Sequence, residues 1–209
     1  MVRGGQEFQE SDEHLHDAIV DRAIEIAEDV GWENVRLHDV ADTLGISLAE
    51  ISMRFRDLDA IADAWFRRAR SAMLAPTDDE FVGLPANSRL KILMLRWFDA
   101  LAPRRRVTVE MLAAKMWPFH PHHWAPMVFN LSRTILWLRD AAGLTIKAPR
   151  RQAEEVGLTM LFLATLSVWA RDDSIGQERT RQFLDKRLGE ADLLMWTLCR
   201  GRREKRETG

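Results

Sequence analysis

Cysteine is almost missing from this chain of 209 residues, where Cys199 stands alone. One thiol excludes an internal disulfide and any thiolate metal cluster, and it suits a reducing cytoplasm. Long apolar runs are missing too. The longest stretch free of charge and histidine, "VGLTMLFLATLSVWA" from Val156 to Ala170, has 15 residues, where a membrane-spanning helix needs about 20. It reads as a buried helix. The start, "MVRGGQEFQESDEHLHD", is polar and acidic and lacks the apolar segment of a secretory signal. Neither charge is in excess: 30 basic residues stand against 32 acidic ones, so the whole molecule has no general pull toward nucleic acid.

Enzyme signatures are lacking as well. There is no glycine-rich phosphate loop, no serine elbow, and no pair of histidines four apart on a helix with a glutamate between them. His14 and His16 are two apart on a predicted helix and face different directions. "RDDS", Arg171 to Ser174, puts two carboxylates together beside a predicted helix end, where they serve as caps and turn formers. No catalytic residue, metal site or cofactor is expected.

What is present is helix. "HLHDAIVDRAIEIAE" places Leu15, Ala18, Ile19, Ala23 and Ile26 at helical spacing, with charges opposite. Gly31 ends that helix. "VRLHDVADTLGISLAEISMRF" breaks into two short helices at Gly45, and Ser47 is a suitable N-cap for the second. A longer helix follows from about Asp57. "APTDDEFVGLPANSR", Ala75 to Arg89, is rich in proline and turn formers and marks a boundary. Beyond it, five segments carry apolar residues at three-and-four spacing. The expected organisation is a disordered start over 1–12, a helix-turn-helix domain over 13–74, a helical ligand-binding and dimerisation domain over 75–199, and a basic tail over 200–209.

Within "DVADTLGISLAEISMRF", Val40, Ala41, Leu44, Gly45, Ile46 and Ile51 meet the needs of a helix-turn-helix: a small residue where two helices cross, a glycine at the turn, and apolar residues that pack the pair on a supporting helix. From Asp17 to about Met73 the chain resembles the N-terminal domain of the TetR family of transcriptional regulators. That resemblance implies an all-α fold, an N-terminal three-helix DNA-binding domain and a C-terminal helical bundle that binds a small hydrophobic effector and forms a homodimer. It implies that Ser47, Leu48, Ala49, Ser52, Met53 and Arg54 face a double-stranded DNA operator, with Arg36 and His38 near the backbone. Ser52 and Leu58 stand where the family usually has a tyrosine and a lysine that bind phosphate. Residues 1–73 also hold eight arginines and no lysine against 16 acids, although a basic face is the expected footprint of a duplex binder.

A second resemblance rests on Trp137, Leu138, Ala141, Ala142 and Gly143, then "LATLSVWARDDS", then "RQFLDKRL" from Arg181 to Leu188. Over about the last 75 residues the chain resembles the Coq-type lipid-binding accessory proteins of ubiquinone biosynthesis. This implies an alternative: a lipid-binding protein of TetR-like fold without DNA binding, whose last helix touches a membrane. "LLMWTLC" followed by "RGRREKR" is an apolar helix face with a basic end, suited to peripheral contact with an anionic membrane surface. "KAPRRQAEEVG", by contrast, has no counterpart of the aromatic pair of that group.

Two sets of candidate residues complete the expectation. Trp97, Met111, Met116, Trp117, Phe129, Trp137, Phe162 and Trp169, with Phe98 and Met160, are large and apolar and line a pocket for the effector or lipid. Leu184, Leu188, Ala191, Met195 and Leu198 have the four-three spacing of a helical seam and form the dimer interface. "MWPFHPHHWAP", Met116 to Pro126, holds three of the six histidines. It reads as the tight connection between two helices of the bundle, pinned by Trp117, Phe119 and Trp124. No carboxylate or cysteine nearby completes a metal shell.

Overall fold

A glycine ends the first helix and another makes the turn after the second, and both take backbone angles that other residues resist. Gly31 has φ +84° and Gly45 φ +67°. Open space surrounds the missing side chain of Gly45, so the left-handed angle alone calls for glycine there. In the computed structural model, helix α1 (Arg3–Val30) stops before Gly31, and α2 (Leu37–Leu44) stops at Gly45. Then follow α3 (Leu48–Arg54), α4 (Leu58–Met73), α5 (Asp79–Gly83), α6 (Ala86–Leu101), α7 (Arg105–Lys115), α8 (Pro121–Ala141), α9 (Arg150–Trp169) and a last helix, α10, over 178–190. The structure describes residues 3–115, 121–144 and 150–190, with side chains for 11–115, 130–144 and 151–190. No strand occurs among them.

The chain divides into two compact units. The first comprises residues 1–71 and 100–127. Its core takes Ile19, Val20, Ala23, Ile24 and Ala27 from one face of α1, Val40 and Ala41 from α2, Ile51 from α3, Ile61, Ala62 and Ala64 from α4, and Val107 and Met111 from α7. Burying each large aliphatic side chain stabilises by about 1.5–3 kcal/mol. Polar contacts add direction. The Trp32 amide donates to Glu110 Oε2 at 2.8 Å, and Trp65 Nε1 donates to Thr108 Oγ1 at 2.9 Å. Buried Lys115 reaches Asp59 at 2.7 Å and Asp63 at 3.1 Å. Arg104 pairs with Glu28.

These contacts assign α7 to the N-terminal helices, whereas the pattern of the sequence groups it with the C-terminal bundle. Met111 is therefore a residue of the N-terminal core and does not line a pocket of the bundle. The helix α1 is described from Arg3, so the segment expected to be disordered is helical over its described part.

The second unit comprises residues 72–99 and 128–209. Trp97 and Phe98 of α6 meet Phe162 and Trp169 of α9, with ring centroids 4.9 to 5.7 Å apart, the distances of direct aromatic contact. The last helix is held to α6 by Arg181 on Asp99 at 2.8 Å and by Lys91 on Asp185 at 2.5 Å. Leu184 and Leu188 are buried within the unit. They are consumed by packing inside the chain, which corrects their assignment to a dimer interface; Ala191, Met195 and Leu198 lie outside the described residues. A second correction concerns the proline-rich stretch. Pro121 opens α8 rather than closing a turn, because the first turn of a helix needs neither the missing N–H nor a free φ. The remaining connection, 116–120, lies outside the described residues.

Asp172 ties the loop after α9 to the last helix. It accepts from the Ser174 amide at 3.0 Å, from the Thr180 amide at 2.8 Å and from the Thr180 hydroxyl at 2.6 Å. Burial pushes its carboxyl up, but the hydrogen bonds from Ser174 and Thr180 outweigh burial and hold it well below the usual carboxylate range. A depressed folded value means that the contribution is complete above the unfolded value and fades as pH falls toward the folded one, because the unfolded chain takes up the proton first. Stability measured by urea unfolding should therefore decline from about pH 5 downward. Asp172→Asn should cost about 2 kcal/mol at neutral pH and flatten that decline.

Candidate nucleic-acid interface

The exposed recognition face starts from a cap. Ser47 precedes α3, its hydroxyl accepts from the Glu50 amide at 3.2 Å, and its own amide donates to the Glu50 carboxylate at 2.8 Å. This reciprocal capping box satisfies two backbone donors that the helix start would leave open. The bonds from the Ser47 backbone and hydroxyl hold the Glu50 carboxyl below its usual value. Gly45 donates to carbonyls of α2, and the Ile46 amide donates to Ala41 O at 3.1 Å. The turn is thus fixed by its own backbone. Ala41 is 2% exposed, a small residue at the crossing of the helix pair.

Ile51 anchors α3 to the core. On the opposite side Leu48, Ala49, Ser52 and Met53 are exposed, Leu48 by 47% and Met53 by 74%. Residues three and four apart are neighbours on a helix surface, so Leu48 adjoins Ser52, Ala49 adjoins Ser52 and Met53, and the four form one surface. Arg36 is exposed at the N-cap of α2. His38 is exposed and pairs with Asp42 at 2.9 Å. Seven of the eight residues expected to face DNA are therefore accessible.

Arg54 differs from the other seven. Its guanidinium is folded back on the protein, with Nη1 on Glu50 O at 2.9 Å and Nη2 on Asp12. Asp12 lies in the acidic start of α1, and nothing in the local pattern around α3 points to it. Leu58 is partly buried against the core, where its neighbours call for an apolar side chain rather than a phosphate-binding one.

The candidate pocket residues divide. Trp97, Phe162 and Trp169 pack together in the second unit with Phe98, but Trp137 is 48% and Met160 is 63% exposed, which takes those two out of the core. Met116 and Trp117 lie outside the described residues, as does the Phe129 side chain. The sequence reading missed one surface: Val156, Met160 and Leu163 are exposed along α9, as are Leu136 and Trp137 on α8. The spacing of four and three in "VGLTMLFL" was the available signal. Among the described residues no helix is long and apolar enough to cross a membrane.

A compact helix-turn-helix that presents an exposed second helix, on a chain with no strand among its described residues, is the architecture of a DNA-binding regulator of transcription. No protein-family model matches the chain. Among solved structures it is similar to a TetR transcriptional regulator from Nitrosomonas europaea ATCC 19718, at 42% identity and TM-score 0.77, with 86% of this chain and 98% of that one covered. A second similar structure is the TetR family regulator PfmR from Thermus thermophilus, at 18% identity and TM-score 0.52, over 81% of this chain and 96% of that one; at that identity it speaks for the fold alone. The chain is also 26% identical over 184 residues to the HTH-type transcriptional regulator BetI of Escherichia coli O45:K1 (strain S88), covering 81% of this chain and 92% of BetI. The chain belongs to the TetR family of transcriptional regulators, which are not enzymes.

The capping box gives a direct check on the interface. Ser47→Ala should lower unfolding stability by about 1 kcal/mol, read by chemical denaturation. It should lower DNA affinity as well, because the first turn of α3 then frays.

Proposed function

We propose that this regulator works as a cytoplasmic homodimer whose two helix-turn-helix units enter successive half-sites of a duplex operator, about 34–36 Å apart along the DNA. A small apolar effector or lipid in the second unit, beside the aromatic cluster of Trp97 and Phe162, shifts the spacing of the two recognition helices and releases DNA. The observation that carries this reading is the outer face of α3, exposed on a helix whose inner face is locked by Ile51 and whose start is locked by Ser47 and Glu50.

The acidity of the N-terminal helices does not oppose it. Over residues 36–56 three arginines balance three acids, so the segment that meets DNA is neutral and the surplus acid lies elsewhere. Part of that surplus is met by cations from outside residues 1–73, Glu28 by Arg104 and Asp59 and Asp63 by Lys115. Of the residues behind the Coq-type resemblance, Leu138, Ala142, Trp169, Leu184 and Leu188 are buried, whereas Trp137 and Leu163 are exposed. A likeness at buried positions reports a shared helical bundle, and so it supports the fold more than lipid binding. The segment proposed to touch a membrane lies outside the described residues.

For the dimer, the exposed apolar side chains of α8 and α9 are the better candidates. The two helices are joined by Arg139 on Glu154 at 2.7 Å, and Leu136, Trp137, Val156, Met160 and Leu163 leave large apolar side chains exposed along them. A second copy of the chain covers these side chains. Met160→Arg should convert the protein to a folded monomer in analytical ultracentrifugation. Leu184→Ala should instead leave the dimer intact and cost about 2–5 kcal/mol of unfolding stability.

The DNA reading is tested by a gel-shift titration with the DNA that flanks its own gene, across a range of salt. Affinity should fall as salt rises, and Arg36→Ala should lessen the slope of log K against log salt by about one. Absence of retardation at low salt would exclude the regulator reading.

A further inference from the structure

The chemistry of the α3 face says which bases it suits. Its four exposed residues are Leu48, Ala49, Ser52 and Met53; three are apolar and none is charged. The one cation of the helix, Arg54, is turned back onto the protein. Nη1 and Nη2 each donate one hydrogen, to Glu50 O and Asp12, and Nε is buried. The serine hydroxyls of this face donate within the helix. Ser52 Oγ donates to Ala49 O at 2.8 Å, and Ser47 Oγ donates to the Glu50 carboxylate at 2.9 Å. On α2, the exposed Thr43 hydroxyl donates to Asp39 O at 2.6 Å. The outer face of α3 therefore carries no cation to offer the guanine edge, which presents two acceptors in the major groove and is usually read by arginine or lysine.

Thymine is the base that rewards such a surface. Its methyl group projects into the major groove and is recognised by apolar contact, and Leu48 and Met53 are the large apolar side chains that reach outward. Ser52 keeps its lone pairs, which suit the amino hydrogens of adenine or cytosine. We infer that α3 selects thymine-rich half-sites by packing Leu48, Ala49 and Met53 on thymine methyl groups, with no guanine read by this helix. The inference rests on the DNA-binding reading above.

The test uses the full chain and a duplex selected by it from a random pool. Each thymine of the selected half-site is replaced in turn by uracil, which removes the methyl alone, and each guanine by 7-deazaguanine, which removes the N7 acceptor. Uracil should weaken binding by roughly fourfold at each contacted position, the worth of one buried methyl-sized group. Met53→Ala, at a position 74% exposed and therefore harmless to folding, should abolish the effect at one of those positions. 7-Deazaguanine should change nothing within the bases that α3 covers. Tight binding that ignores uracil, or a loss with 7-deazaguanine at those bases, would overturn the inference while leaving the regulator reading intact. A chain that selects no duplex even at low salt would overturn both.

Discussion

The buried ammonium of Lys115 is the constraint around which the N-terminal unit is arranged. It is 4% exposed, and taking one such charge out of water costs several kcal/mol unless partners are close and well placed. Asp59 and Asp63, one turn apart on α4, supply them at 2.7 and 3.1 Å. The triad fixes the register of α7 on α4. The bond from Trp65 to Thr108 and the contacts of Glu28 with Arg104 and Arg106 extend the same arrangement along α7 and onto α1. A helix that follows α6 in sequence thus becomes part of the fold that presents the DNA-facing surface.

That arrangement explains a composition that otherwise argues against function. Residues 1–73 carry a net charge of −8 from eight arginines and 16 acids, but residues 100–115 bring four cations and one acid. Taken together these segments have twelve basic side chains against seventeen acids, a net of −5. Asp59 and Asp63 pair with Lys115 of α7, Glu28 pairs with Arg104 just before it, and Glu110 of α7 accepts from the Trp32 amide. Charge summed along a contiguous stretch therefore misjudges a unit built from two stretches, and a surface argument has to follow the folded neighbours.

The features legible in the sequence were those settled within a few residues. Gly45 needs its left-handed angle whatever surrounds it, and the capping box of Ser47 and Glu50 closes on itself, so the boundaries of α2 and α3 could be read directly. The core of α1 was legible for a similar reason, because Ile19 and Ala23 repeat at the helical period. The partner of a face was not. Leu184 and Leu188 announce a buried stripe by spacing, but spacing does not say whether the stripe meets the same chain or a second copy, and here the same chain covers it. Met111 was misplaced for the same reason: its core partners on α1, α2 and α4 lie roughly 50 to 90 residues earlier, beyond the reach of any local pattern. The stripe of Val156, Met160 and Leu163 was open to reading and was hidden only because a charge-free run invites the idea of a buried helix.

The state of Arg54 links these points to recognition. An arginine at the end of a recognition helix would ordinarily add both affinity and guanine readout, but Asp12 and the Glu50 carbonyl hold this one. The pairing stabilises the junction of α1 with α3 and removes a cation from the face proposed to meet DNA. On the reading proposed above, with Ser52 and Leu58 also in place of phosphate-binding residues, nonspecific attraction to the DNA backbone is weak. On the same reading, discrimination between sequences depends on short-range fit over Leu48, Ala49 and Met53. Such fit gains nothing from a wrong base and is insensitive to the negative charge of the helices behind it. An acidic unit with an apolar outer face is thus consistent with the proposed selection by shape and methyl contact.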